Sequence, residues 1–350
     1  MKKMLAMLLA LVMILGLAAC ASTKPAADAT ATSEPSNTGD SASAETSAEA
    51  SDAAPAESGK TYTVGVCQLI QHEALDAATQ GFIDALKEEL GDAVTVEVQN
   101  ASGDSVNCGT IVNGFVSRGV DLIMANATPA LTAAVSATAD IPILGTSITA
   151  YGVALDIDDF NGTVGGNVSG TSDLADLQAQ AQMILDWFPE TKSVGLLFCS
   201  AEPNSRYQID EVRKALEAQG VTCEEFAFTD SNDVSSVTQK AADFSDVVYI
   251  PTDNTAASNT EAIANVLIPA GVPAICGEEG ICRGCGVATL SISYYDLGVT
   301  TGKMAAKILK GEANISEMPV EYTDATPKYN ASICDQLGIT PLDGYEAIEG

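Results

Sequence analysis

The chain has 350 residues, which is enough for two domains of ordinary size. Its 47 acidic residues against 16 Lys and Arg give a formal net charge of −31, which would repel a phosphate backbone and excludes nucleic-acid binding. The single histidine leaves no room for a multi-histidine metal site, and a Ser-His-Asp hydrolase would have to be built around that one residue. Most hydrolases and zinc enzymes are therefore disfavoured.

The first residues have the features of a secretory signal. Lys2 and Lys3 precede an apolar run over 4–19, which ends in Leu-Ala-Ala before Cys20. This run is shorter than the roughly 20 residues that span a bilayer, and small residues before a cysteine suit a cleaving peptidase. The sequence resembles the lipobox of bacterial lipoproteins, so we expect a signal peptide over 1–19 and a lipidated N-terminus at Cys20. An uncleaved, short transmembrane anchor is the alternative.

The next segment is unlike a folded domain in composition. Residues 21–59 contain no Val, Ile, Leu, Met or aromatic residue, and Lys24 is their only base. Such a segment cannot bury enough apolar surface to offset the entropy lost on ordering. We therefore expect 20–59 to be a lipidated, disordered linker that holds a folded body away from the membrane.

From Tyr62 onward, strand-like runs alternate with amphipathic helical stretches. The run 62–68 is rich in β-branched residues, and apolar residues from Leu75 to Leu90 follow it at helical spacing. Strands separated by helices of 10–18 residues predict βαβ units and mainly parallel sheets. Further strands are predicted at 94–98, 122–125, 141–145, 194–199, 221–228, 247–251, 273–276 and 287–293.

The α/β pattern restarts near residue 174, which predicts two Rossmann-like lobes. The segments 165–173, 291–295 and 321–326 are the expected crossings, and three crossings would let the lobes hinge about a common cleft. Two independent domains in series are the alternative. We expect the first lobe to comprise 60–170 plus about 292–320, and the second lobe 171–291 plus about 321–350.

Polar residues follow the predicted strands, at the edge where open parallel sheets bind ligands. Hydroxyl and amide groups dominate the first lobe and suit a carboxylate, whereas the second lobe adds acidic residues that suit an ammonium group. The pattern predicts a zwitterionic ligand, although such residues also cap helices. The candidates are Gln68, His72, Asn126, Thr128, Thr146 and Ser147 in the first lobe, and Ser200, Asn204, Ser205, Thr252, Asp253, Asn254 and Glu278 in the second.

Several of these motifs, in this order, resemble one known family. They are Gln68-x3-His72, Ala125-Asn-Ala-Thr-Pro129, Pro142-Ile-Leu-Gly-Thr-Ser147, Gly170-Thr-Ser-Asp173, Glu202-Pro-Asn-Ser205, Tyr249-Ile-Pro-Thr-Asp-Asn254 and Gly277-Glu-Glu-Gly280. The chain from about 62 to 340 is similar to ABC-transporter substrate-binding lipoproteins whose characterised members bind tryptophan or phenylalanine. One departure is Glu73, where the family usually has a proline after the histidine.

The resemblance implies a type I periplasmic-binding-protein fold, with two lobes that close on a free aromatic amino acid (Trp, Phe or Tyr). It also implies delivery to a membrane permease driven by a separate ATPase. Within the site, we expect Asp253 to bind the ligand's ammonium group. We expect Thr146, Ser147 and Asn126, with nearby backbone amides, to bind its carboxylate.

The nine cysteines do not form a convincing metal motif. Cys282 and Cys285 make a single CxxC, without the second CxxC or nearby histidine that a tetrahedral zinc site needs. They could instead form a local disulfide in an oxidising compartment. We expect neither a metal nor a cofactor.

Together these observations predict a monomeric, lipid-anchored substrate-binding protein of an importer, on the extracytoplasmic face of the cell membrane. Binding would shift an equilibrium between open and closed lobes, and the protein would have no catalytic role. A surface sensor of the same fold, which binds an amino acid or other small polar molecule and reports to a receptor, is the alternative. An enzyme is the third and least favoured option.

Overall fold

A computed structural model describes residues 60–348 and contains two β-sheets flanked by helices. The first sheet begins at the start of this range and is built by alternating strands and helices. In chain order these are β1 (Tyr62–Gln68), α1 (Glu73–Leu90), β2 (Val94–Asn100), α2 (Ser105–Arg118), β3 (Leu122–Asn126), α3 (Thr128–Ala137), β4 (Ile143–Ile148), α4 (Tyr151–Ala154) and β5 (Val168–Ser172).

The second sheet repeats this alternation. Its elements are α5 (Leu177–Trp187), β6 (Ser193–Cys199), α6 (Pro203–Glu217), β7 (Thr222–Phe228), α7 (Val234–Phe244), β8 (Val247–Ile250), α8 (Asn254–Ala257), α9 (Thr260–Ala270), β9 (Ala274–Cys276), α10 (Glu279–Cys285) and β10 (Ala288–Ile292).

The last part of the described chain serves both sheets. Helix α11 (Tyr294–Lys310) packs along α1, and β11 (Glu321–Tyr322) pairs with β5 in the first sheet. The chain then returns to the second sheet with β12 (Ala325–Tyr329), α12 (Ala331–Leu337) and β13 (Glu346–Ala347). We use "first lobe" for 60–172 with 294–322, and "second lobe" for 177–292 with 325–348.

The strand order is β11-β5-β4-β3-β1-β2 in the first sheet and β13-β12-β10-β9-β8-β6-β7 in the second. Strands β10 and β12 pair antiparallel, and every other pairing between these strands is parallel. The predicted α/β architecture with two mainly parallel sheets is therefore confirmed. The chain passes between the sheets three times, at 173–176, at 293 and at 323–324.

Both faces of each sheet are buried, which explains the nearly continuous apolar runs of the central strands. In β1, Val64 and Val66 pack with α1 and α11, whereas Cys67 packs on the opposite face with α2 and α3. In β6, Leu196 packs with α5 and α6, and Leu197 packs with α7 and α9. Every strand predicted from the sequence overlaps an observed one.

The segment 165–173 differs from the prediction. We expected a crossing loop there because its residues are glycine and short polar types, but Val168–Ser172 form the buried strand β5. Its polar side chains are satisfied internally: the Ser169 hydroxyl donates to the Met318 carbonyl at 3.0 Å, and Thr171 hydrogen-bonds the Thr301 hydroxyl at 2.8 Å. The first crossing follows this strand instead of containing it.

The predicted signal peptide, lipidated Cys20 and linker lie outside the described residues. Within 60–348, no helix has the length and apolar content of a membrane span. The eight cysteines of this range are free, including Cys282 and Cys285, which are both buried. The same range contains no group of three or more His, Cys, Asp or Glu side chains placed to hold a metal ion.

Candidate functional site

A narrow cavity lies between the lobes, at the carboxyl ends of the strands. The lining residues are His72, Leu75, Ser147, Thr149, Asp173, Asn204, Thr252, Asp253, Asn254, Ala257, Glu278 and Tyr294.

Seven of the thirteen residues predicted from the sequence line this cavity. They are His72, Ser147, Asn204, Thr252, Asp253, Asn254 and Glu278. The other six lie at the expected strand ends but do not line it, and these are Gln68, Asn126, Thr128, Thr146, Ser200 and Ser205.

Gln68 and Asn126 form hydrogen bonds within the first lobe, behind the residues that line the cavity. The Gln68 amide donates to Asp76 at 2.6 Å, and its oxygen accepts from the Thr79 hydroxyl at 2.6 Å. The Asn126 amide donates to the Leu75 carbonyl at 2.9 Å. Both side chains therefore position α1 against the strand ends.

Thr146, Ser205 and Ser200 also have internal partners. The Thr146 hydroxyl is 3.2 Å from that of Thr171. The Ser205 hydroxyl donates to Asp253 at 2.8 Å, and the exposed Ser200 donates to the Phe228 carbonyl at 3.1 Å. Short polar residues at strand ends therefore predict more lining residues than the structure has. About half of them make hydrogen bonds within the fold instead.

Four lining residues carry a buried polar atom that has no hydrogen-bond partner among the described residues. Most buried polar groups in proteins are paired, so unpaired atoms that border one cavity point to a ligand. These atoms are His72 Nδ1, Ser147 Oγ, Asp173 Oδ1 and Asn204 Oδ1. The Asn126 Oδ1 and Thr128 Oγ1 atoms, at neighbouring first-lobe strand ends, are also unpaired.

Asp173 is the lining acid that sequence reasoning left out. It follows β5 at the first crossing, where its Oδ2 accepts a hydrogen bond from the Tyr294 hydroxyl at 2.9 Å. Burial raises its pKa, although hydrogen bonds from Tyr294 and Thr149 act in the opposite direction. The glycine-rich, polar segment that ends in Asp173 predicts a crossing, which is why this acid is absent from the predicted site residues.

Asp253 and Glu278 are N-caps as well as lining residues. Asp253 accepts from the Ala256 amide at 2.7 Å and the Cys199 amide at 2.7 Å, and Glu278 accepts from the Gly280 amide at 2.7 Å. Burial, followed by the nearby Glu202 charge, raises the pKa of Asp253 to about 8. Burial raises the pKa of Glu278 to about 7.

The cavity combines acidic side chains with the positive ends of helix dipoles. Three buried carboxyl groups line it, and none of the described lining residues is Lys or Arg. The helices α1, α6 and α11 begin at or beside lining residues, so the positive ends of three long helix dipoles face the same space. A bound molecule with one ammonium and one carboxylate group would match both features.

Direct contacts join the lobes around the cavity. The His72 Nε2 atom is 3.2 Å from Asn254 Oδ1. At the rim, Arg283 forms an ion pair with Glu73 at 3.0 Å. These two contacts between the lobes show them closed around the cavity.

Comparisons with known proteins agree with this architecture. Residues 63–344 match the family described as ABC transporter substrate binding protein. A tyrosine-binding protein from Clostridioides difficile is 32% identical over 276 residues, which are 77% of this chain and 79% of the relative.

Two solved structures show the same fold at similar identity. An ABC domain from Streptococcus pneumoniae in complex with L-Trp has a TM-score of 0.78 at 31% identity, covering 82% of this chain and 100% of that chain. The ligand-free, open structure of a substrate binding protein with adhesive properties from Clostridium difficile has a TM-score of 0.64 at 32% identity, covering 83% and 99%.

These matches confirm the type I periplasmic-binding-protein fold that the motifs imply. They also confirm that the protein is not an enzyme, because proteins of this kind bind a substrate without converting it. The chain belongs to the family of ABC transporter substrate-binding proteins.

Proposed function

We propose that this protein is the lipid-anchored, extracytoplasmic substrate-binding protein of an ABC importer, and that it binds one free aromatic amino acid between its lobes. The observation that carries the ligand class is the cavity itself. It combines unpaired buried polar atoms with three carboxyl groups and no Lys or Arg side chain among its described lining residues.

The ammonium group of the ligand would bind Asp173. Its Oδ1 is buried and unpaired, whereas Oδ2 is held by Tyr294. Asp253, the residue we favoured from the sequence, already accepts three hydrogen bonds from within the second lobe. Its oxygens are therefore less available than Asp173 Oδ1 to accept directly from the ligand.

The carboxylate group would bind Ser147 and the neighbouring backbone. Ser147 has an unpaired hydroxyl and a φ of 55°, a left-handed conformation that costs a non-glycine residue energy. Backbone strain of this kind concentrates at ligand sites, where it aims a side chain or an amide. The N-terminus of α1 adds positive potential at the same wall.

The relatives support an aromatic side chain on the ligand. One of them is named for tyrosine and another holds L-Trp, both at more than 30% identity. Leu75 and Ala257 give the cavity its apolar surface. The structure also has a higher TM-score to the complex with L-Trp than to the open, ligand-free relative, which fits closure around such a ligand.

Anchoring and delivery complete the proposal. The Leu-Ala-Ala-Cys20 sequence would receive the lipid, and the segment up to 59 would tether the folded body to the outer face of the membrane. A permease with its ATPase would recognise the rims of the two closed lobes. The family match supports such a partner, and closed lobes would present both rims together.

A thermal-shift screen of the twenty standard amino acids tests the ligand class. A ligand that binds only the native state raises the melting temperature, by an amount that grows with its concentration relative to Kd. We expect Trp, Phe or Tyr to raise it most. A shift with aliphatic amino acids or sugars, and none with the three aromatic ones, would contradict the proposed ligand.

A further inference from the structure

The single histidine of the chain sits where the two lobes meet. His72 is the N-cap residue of α1 in the first lobe, yet its side chain makes no capping hydrogen bond. Its Nε2 atom instead contacts Asn254 Oδ1 of the second lobe at 3.2 Å, and its Nδ1 atom is buried at the cavity without a partner among the described residues.

Glu202 decides which way the Asn254 amide faces. This buried carboxylate accepts from the Asn254 side-chain nitrogen at 2.7 Å and from the Asn254 backbone amide at 2.9 Å. Its other oxygen accepts from the Thr255 amide and hydroxyl at 2.9 and 2.8 Å. Because each Glu202 oxygen already accepts from a backbone amide, which can only donate, Glu202 acts as the acceptor here: the Asn254 amide nitrogen faces Glu202 and the amide oxygen faces His72.

The orientation of the amide in turn sets the proton on the imidazole ring. An amide oxygen cannot donate, so the contact with Asn254 requires a proton on His72 Nε2. Burial lowers the pKa of His72 below its ordinary value of 6.5 and outweighs the opposing effects of Asn254, Glu202 and Asp76. The ring is therefore neutral at neutral pH. A neutral ring with its proton on Nε2 has a lone pair on Nδ1.

We propose that Glu202, acting through Asn254, fixes His72 in the tautomer protonated at Nε2, so that Nδ1 accepts a hydrogen bond from an N–H or O–H group of the bound ligand. This inference rests on the proposed function for the identity of the ligand. It makes His72 a contact residue and makes Glu202 and Asn254 positioning residues. The ligand groups that can donate are the ammonium of any amino acid, the phenol of tyrosine and the indole of tryptophan.

Magnetic resonance of isotope-labelled histidine tests the tautomer directly, because this protein yields signals from one imidazole only. In the closed protein, with a bound aromatic amino acid at neutral pH, we expect Nε2 to resonate as a protonated nitrogen and Nδ1 as an unprotonated one. Saturating tyrosine should shift the Nδ1 resonance in the direction of an accepted hydrogen bond. A proton on Nδ1, or an Nδ1 resonance that no ligand moves, would overturn the proposal.

A matched pair of variants tests the role of Glu202. Glu202→Gln can donate to Asn254 as well as accept, so both ring tautomers should appear and affinity for tyrosine should fall roughly ten- to hundredfold. Glu224→Gln, on the exposed face of β7, should leave both unchanged. A Glu202→Gln protein that binds weakly but keeps the single tautomer would contradict the proposal that Glu202 fixes the tautomer through Asn254. If the variant does not fold, the tautomer in the unmodified protein still tests the proposal.

Three ligands identify the donor. An Nδ1 shift with tyrosine but not phenylalanine assigns the hydrogen bond to the phenol. A shift with both, but not with tyrosine lacking its amino group, assigns it to the ammonium. If no aromatic amino acid binds, the proposed function fails, whereas the tautomer measured with any other ligand that raises the melting temperature still tests the effect of Glu202 and Asn254 separately.

Discussion

Asp173 and Asp253 are buried carboxyl groups that line the same cavity, but their surroundings differ. Asp253 is held by three donors of its own lobe, including the Ala256 amide of the helix it caps. Asp173 has one unpaired oxygen at the cavity and one oxygen bonded to Tyr294. The two residues should therefore respond differently to the same substitution.

We expect Asp173→Asn to lower affinity for an aromatic amino acid roughly ten- to hundredfold, because a hydrogen bond to a charged group is lost. The melting temperature of the ligand-free protein should stay or rise, since a buried charge is removed. Asp253→Asn is the control and should mainly lower the melting temperature. Calorimetric titration and thermal melts of both variants measure this contrast. If Asp253→Asn lost affinity and Asp173→Asn did not, Asp253 would be the residue that binds the ammonium group.

The raised pKa values predict how stability depends on pH. Asp253 and Glu278 are raised from ordinary values of 3.8 and 4.5 to about 8 and about 7. Over that interval the folded protein keeps protons that the unfolded chain has released, so stability falls as pH rises through both values. His72, whose pKa is lowered, acts in the opposite sense only below its ordinary value of 6.5.

Melting temperatures measured between pH 6.5 and pH 8 should therefore decrease in the ligand-free protein. Ligand affinity should increase over the same range, because ionised carboxyl groups attract the ammonium. Glu278→Gln should flatten the decrease. A melting temperature that rises across this window would show that these groups are ionised in the fold.

At the scale of elements, sequence patterns located the strands whose residues are apolar, but they missed the C-terminal β11, β12 and β13 and the buried β5. The difference has a local cause, since β5 contains Ser169, Gly170 and Thr171. A Cβ atom on Gly170 would clash with the Gly145 carbonyl and the Tyr151 hydroxyl. Close strand packing selected small residues here, and those residues are also typical of loops.

Gly170→Ala tests that explanation. Gly170 has a φ of 143°, so the substitution adds overpacking of about 1–3 kcal/mol to a backbone strain of similar size. Gly220→Ala is the control, because Gly220 has a φ of 85° but open space around its Cα. Chemical denaturation should show a loss about twice as large at Gly170, and equal losses would mean that packing in β5 is loose.

At the scale of the whole molecule, closure of the lobes needs more than their direct contacts. The Arg283–Glu73 pair lies at the rim, with side chains that are 35% and 54% exposed, and exposed ion pairs contribute only about 0–1 kcal/mol. The ligand must then supply most of the free energy of closure, by pairing polar atoms of both lobes. This coupling is what a substrate-binding protein needs in order to report its loaded state.

The sequence located both lobes and seven lining residues, because strand ends and helix caps have local signatures. It did not locate Asp173 and Tyr294 as a pair, since they meet only when the first and second crossings come together. It also could not separate lining residues from those behind the wall, such as Thr146. That distinction depends on side-chain direction in the folded protein.

The most direct test of the central claim is a calorimetric titration of the protein with tyrosine, tryptophan and phenylalanine, beside the same amino acids blocked as N-acetyl derivatives or methyl esters. The account predicts one binding site per chain for at least one free aromatic amino acid, and little or no binding once its ammonium or carboxylate is blocked. Equal binding of free and blocked forms, or no binding of any aromatic amino acid, would contradict it.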